Sequence, residues 1–106
     1  MASERVPLTT LDALLEGASP PDCLQIDVEG MEWAVLSGGS RALGARPPLM
    51  IEINRGTLAQ FGRSPEGLVS DLGDLGYRRL IVLRQGRPEP FTGLVEPYCN
   101  VFAFAD

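Results

Sequence analysis

The sequence contains no histidine and no lysine; its nine basic residues are all arginine. Without an imidazole, no in-chain histidine base, histidine–cysteine dyad or histidine metal ligand can be built. Neither G-x-G-x-x-G nor G-x-x-x-x-G-K-[ST] occurs, and Gly38-Gly39 closes a predicted helix instead of opening one, so no nucleotide-phosphate loop is present. No apolar run approaches the roughly 18 residues of a membrane span. The first twenty residues lack the basic head, apolar middle and small-residue cleavage site of a secretory signal, so the expected location is cytoplasmic. The only two cysteines, Cys23 and Cys99, lie far apart beside predicted strands, which predicts buried free thiols and not a disulfide.

A net charge of −5 argues against nucleic acid or anionic membrane as a partner, since both reward clusters of basic side chains. The one basic concentration, Arg78, Arg79, Arg84 and Arg87, is read as solubilising an edge strand. A chain of 106 residues suffices for one domain, 1–106, around one core.

Local signals divide the chain into alternating elements. Thr10-Leu11-Asp12 followed by Ala13-Leu14-Leu15 is a capped short helix, with Gly17 and Pro20-Pro21 after it. Cys23 to Val28 is apolar without clean alternation, as in a strand covered on both faces. From Met31 a helix runs to Gly38-Gly39, with a further turn over Ser40 to Leu43. Leu49 to Asn54 is a second strand, and Ser64-Pro65-Glu66 caps a helix whose stripe is Leu68, Val69, Leu72 and Leu75, stopped at Gly76. Tyr77, beside that stop, is a packing residue. Tyr77 to Leu83 and Pro97 to Ala105 are the last strands, and with only a Gly/Pro-rich connection between them they should pair antiparallel. The layout is α/β, with a parallel pair of strands and then an antiparallel pair, flanked by helices.

In open α/β sheets, ligands bind outside the carboxyl ends of the parallel strands. Asp27 stands at one such end, and Glu52 and Asn54 at the next. Clustered carboxylate and amide oxygens suit Mg²⁺ or Ca²⁺, and close carboxylates can raise one another's pKa to yield a general base. Asp27 and Glu52 are therefore the candidate catalytic pair, and Asp27, Glu52 and Asn54 the candidate metal ligands. Glu29 and Glu32 are instead placed to serve the helix start. Trp33, next along the helix, is either a substrate-pocket wall or a core residue.

Several of these segments together resemble a known family. Thr10-Leu11-Asp12-x-Leu-Leu, then Leu24-x-Ile-Asp27-Val-Glu29-Gly30-x-Glu32, Val35-Leu36-x-Gly38, Pro48-x-Met-Ile-Glu52 and Leu75-Gly76-Tyr77 are similar to the C-terminal half of FkbM-type methyltransferases. The resemblance implies a class I, Rossmann-like fold of seven strands, of which this chain carries the last four. It also implies S-adenosylmethionine as cofactor, methylation of a hydroxyl on a small molecule or saccharide, and Asp27 and Glu52, with Asn54, on the methyl-transfer side as base or metal ligands. The family's Gly-rich turn after the first strand has no counterpart here. Met31 and Gln25 also depart from the family's usual small residue and lysine.

If the 23–28 strand stands fourth in such a sheet, its outer edge is uncovered here, which predicts a homodimer or a partner chain along it. A non-catalytic assembly module with the same half-fold is the competing reading. A Mg²⁺-dependent phosphoryl-transfer site is disfavoured, because neither lysine nor histidine accompanies the acids.

Overall fold

The computed structural model describes Arg5 and residues 7–106. Its first element, α1 (Leu11–Leu14), begins where the Thr10 hydroxyl accepts the Ala13 amide. Next come β1 (Leu24–Ile26), α2 (Glu32–Ser37), a 3₁₀ turn (Ala42–Ala45) and β2 (Leu49–Asn54). The second half consists of α3 (Arg55–Ala59), α4 (Pro65–Asp74), β3 (Arg79–Arg84), β4 (Arg87–Pro90) and β5 (Tyr98–Phe104). No helix among the described residues is long and apolar enough to cross a membrane.

The five strands form one mixed sheet in the order β1-β2-β5-β3-β4. β1 and β2 run parallel, with Leu24 opposite Leu49 and Ile26 opposite Ile51. β5 is inserted antiparallel between β2 and β3, so β2 and β3 point the same way. This mixed α/β sheet is compatible with part of a Rossmann-like fold, and the expected antiparallel pairing of the last two predicted strands is present.

Two elements were not expected. The Gly/Pro-rich connection contains β4, which pairs with β3 as an edge strand, and α3 comes directly after β2, started by Asn54. Another expectation is corrected as well: β1 is not covered on both faces. Ile26 is buried while Gln25 is exposed, and β2 alternates strictly, with Leu49, Ile51 and Ile53 buried and Met50, Glu52 and Asn54 half-buried. The helical layer covers the first face, where Leu36, Leu43, Leu58, Leu68 and Leu72 join Ile51, Ile53, Val101 and Ala103 in the core. Each fully buried leucine, isoleucine or valine among these stabilises the fold by about 1.5–3 kcal/mol. Cys23 and Cys99 are free thiols as expected, but Cys23 is exposed and Cys99 half-buried, because the short β1 leaves Cys23 outside its paired register.

Tight contacts hold the layers in register. A side chain at Gly39 would meet Leu11 at 2.7 Å, so glycine there lets α1 close onto the end of α2. The Asp12 carboxylate then accepts the amides of Arg41 (2.9 Å) and Ala42 (2.7 Å), tying α1 to the start of the 3₁₀ turn. Those bonds, Ala42 first, hold the Asp12 pKa below its ordinary value. Beyond α4, Tyr77 is buried and its hydroxyl donates to the Pro47 carbonyl at 2.6 Å, joining the start of β3 to the approach to β2.

Candidate active site

The turn after β1 is organised by a carboxylate that the sequence pattern assigned only to the helix start. Glu32 is 1% exposed, and its two oxygens accept the amides of Val28 (2.9 Å) and Gly30 (3.1 Å). The segment therefore folds back on the first turn of α2, with Glu29 and Gly30 both at positive φ. Gly30 is required on steric grounds as well, since a Cβ there would lie 2.3 Å from the Thr57 carbonyl oxygen in α3. Glu29 is exposed, and the Glu32 carboxylate holds amides of the turn before α2, whose N-cap, Met31, makes no side-chain cap bond.

With Glu32 absorbed by the turn, Asp27 and Glu52 are left as acids without a structural task. The β1–β2 register pairs Gln25 with Met50 and ends with Ile26 opposite Ile51, so Asp27 follows β1 directly and Glu52 follows the last residue of β2 that β1 pairs. Burial, and after it the charge of Asp27, raises the Glu52 pKa; Glu29 and Glu32 add to the rise, and a hydrogen bond from Asn54 opposes it. The two candidate catalytic acids are thus brought together at the carboxyl ends of adjacent parallel strands.

Asn54 shares their face, but its Oδ1 accepts the Thr57 amide at 3.1 Å as the cap of α3. Among the described residues, no group of three or more Asp, Glu, Cys or His side chains is arranged to hold a metal ion. Trp33 lies elsewhere, in the helical layer against the core, with the Arg63 guanidinium 3.9 Å from its ring centroid. The two recesses it lines run along α4 past Asp71, and neither is lined by Asp27, Glu52 or Asn54.

Pairing across β2 and β5 adds residues that sequence reasoning missed. Asn100 stands opposite Glu52, and Tyr98 opposite Asn54. The period-two alternation of the last strand carried this signal, but it could be used only once the register with β2 was known.

The structure is a mixed α/β sheet with Asp27 and Glu52 at the carboxyl ends of its two parallel strands, the end at which open α/β sheets bind ligands. Residues 2–79 match the methyltransferase FkbM domain, and the chain belongs to that family. No curated protein and no solved structure matches it.

Proposed function

We propose that the chain is the acceptor-side portion of an S-adenosylmethionine-dependent O-methyltransferase of FkbM type, with Glu52 as the proton acceptor and Asp27 as the charge that tunes it. The observation that carries this reading is the placement of Glu52 and Asp27 at the carboxyl ends of adjacent parallel strands, where α/β folds bind ligands. A general base works best when its pKa lies toward the operating pH, and both burial and the neighbouring charge move Glu52 that way.

The described residues do not by themselves fit the cofactor. The backbone amides at the β1–α2 turn that could receive its carboxylate, Val28 and Gly30, already donate to Glu32. Gly38 and Gly39 are filled against Thr10 and Leu11. The cofactor supplies a methyl group on a positively charged sulfur, and it would be held by residues outside those described. What this chain contributes is at the acceptor: its hydroxyl donates to Glu52, the O–H bond breaks toward that carboxylate, and the oxygen keeps the electron pair it needs as a nucleophile. Asp27 and Glu52 are also the pair that would ligate Mg²⁺, with water completing its shell, because Asn54 is engaged as a cap.

Carboxyl-carbon NMR titration of Glu52 tests the assignment. The expected midpoint lies above the ordinary glutamate range and falls in Asp27→Asn; an ordinary midpoint that ignores Asp27 refutes the base and favours the assembly-module reading. Calorimetry with S-adenosylmethionine should show no binding tighter than ~1 mM by this chain alone. Micromolar affinity would refute the acceptor-side division of labour.

A further inference from the structure

Register and alternation decide what surrounds Glu52. On β2 the buried residues alternate with Met50, Glu52 and Asn54, and on β5 Val101 and Ala103 are buried while Tyr98, Asn100 and Phe102 face the other way. Met50 stands opposite Phe102, Glu52 opposite Asn100 and Asn54 opposite Tyr98, so these six side chains share the sheet face opposite the helical layer. Asn100 is directly across from Glu52, and Tyr98 and Phe102 are its diagonal neighbours. Residues so related lie ~7–8 Å apart, within reach of an aromatic side chain.

The two aromatic neighbours differ in what they offer. Phe102 is half-buried, whereas Tyr98 is 59% exposed and presents its ring to solvent on the same face as the carboxylate. An exposed ring diagonal to a proton acceptor is a stacking surface beside a base. Met50 and Phe102 make the rest of the surroundings apolar. Asn54 is engaged, its Oδ1 with the Thr57 amide and its amide group with Glu52. A polyol would therefore find few partners for its several hydroxyls here, and a flat apolar ring carrying one donor is matched at both ends.

We infer that Glu52 serves a phenolic hydroxyl whose aromatic ring stacks on Tyr98, and that Tyr98 selects such a ring over an aliphatic alcohol. Acidity points the same way. A phenol ionises near pH ~10, and an aliphatic alcohol only near ~16, about like water. A carboxylate base therefore receives a phenolic proton far more readily. In the bound pair the phenol O–H donates to the Glu52 carboxylate; the O–H bond breaks toward that oxygen, and the phenolic oxygen keeps the electron pair. The inference rests on the reading of Glu52 as the base, because its place beside Glu52 is what makes the Tyr98 ring part of an acceptor site.

The test is an NMR titration of the whole 106-residue chain, reading backbone amides and the Glu52 carboxyl carbon, with phenol, with cyclohexanol and with anisole. Cyclohexanol keeps the hydroxyl on a saturated ring, and anisole keeps the aromatic ring without a donor. Phenol should shift Tyr98, Asn100 and the Glu52 carboxyl with a Kd of ~1–10 mM, and cyclohexanol should bind at least about threefold more weakly. Anisole should move Tyr98 and leave the Glu52 carboxyl where it was. Tyr98→Leu should weaken phenol about fivefold, and Tyr98→Phe, which keeps the ring, should not. The comparison of the three ligands on the unaltered chain needs no variant to fold. Equal binding of cyclohexanol, or no shift at Tyr98 and Glu52 at ~30 mM phenol, overturns the inference. Phenol bound on Tyr98 with an ordinary Glu52 midpoint refutes the base alone, and a raised midpoint without phenol binding refutes the aromatic acceptor alone.

Discussion

The negative charge of Asp27 falls on Glu52, and with burial it makes the Glu52 carboxyl harder to ionise in the folded chain than in the unfolded one. That difference sets the sign of the stability effect. As pH rises past the ordinary glutamate value of about 4.3, the unfolded chain releases this proton first, so folding loses stability until the raised folded pKa is passed. Below that window the penalty is absent. Asp27→Asn and Glu52→Gln should each stabilise the chain at pH 7 by about 0.2–1 kcal/mol, the range of exposed charge pairs. The gain should vanish near pH ~3, where the Glu52 carboxyl is protonated in the folded and the unfolded chain alike. Urea denaturation at the two pH values checks this; a destabilising Glu52→Gln at pH 7 would show that the acid serves the fold and not the chemistry.

Glu32 carries the opposite expectation. Its buried oxygens satisfy the Val28 and Gly30 amides, so Glu32→Ala strands two donors and should cost about 2–4 kcal/mol. Gly30→Ala meets both a positive φ and the Thr57 carbonyl, and should lose at least ~2 kcal/mol. Equilibrium unfolding of both variants, with hydrogen exchange at Val28, separates a loosened turn from a global loss. A Gly30→Ala within ~0.5 kcal/mol of wild type would mean that α3 does not pack on the turn as described.

Tyr77 links alkaline pH to the packing of β2 and β3. Burial raises its pKa from the ordinary 10.0 to about 12, against a weaker opposing effect of Arg46. Its contribution is whole below pH 10.0 and declines as pH climbs toward 12, because the unfolded phenol ionises first. Tyr77→Phe should cost about 1–2 kcal/mol at pH 7 by leaving the Pro47 carbonyl without its donor. It should also flatten the stability profile between pH 10 and 12, where wild type declines. Thermal melts across that range are the measurement.

Legibility in the sequence differs from element to element. Leu49 to Asn54 was legible to its ends, because Pro47-Pro48 precede it and Asn54 caps the next helix. β4 was not: Arg87-Pro88-Glu89-Pro90 buries nothing, and its two prolines are tolerated only because the strand lies at the edge of the sheet. α3 buries only Leu58, too little for a periodic signal, although the Asn54–Thr57 cap could have disclosed it. At the candidate site, strand ends were enough to place Asp27 just past β1 and Glu52 near the end of β2. Asn100 required the register of an antiparallel strand, which depends on contacts distant in sequence. For Trp33 the sequence left pocket wall and core both open, because helical succession gives no clue which way α2 turns it; in the structure it packs against the core.

The outer edge of β1 gives the last prediction. β1 pairs only with β2, so Leu24, Gln25 and Ile26 present their other backbone edge to solvent among the described residues. Such an edge is a template for another strand. We expect the chain to associate through it, as a homodimer or with a partner that extends the sheet. Sedimentation at micromolar concentration should then show a species larger than one chain. Gln25→Pro, on the exposed face and without an amide to donate, should shift the population toward monomer; Gln25→Thr, which keeps the donor, should not. The association should be weak and should fade on dilution, because a three-residue strand offers few ladder bonds and two copies each carry a charge of −5. Raising the salt concentration should strengthen a homodimer by screening that repulsion. A monodisperse monomer at every salt concentration and dilution would mean that the short edge does not recruit a strand from a second copy.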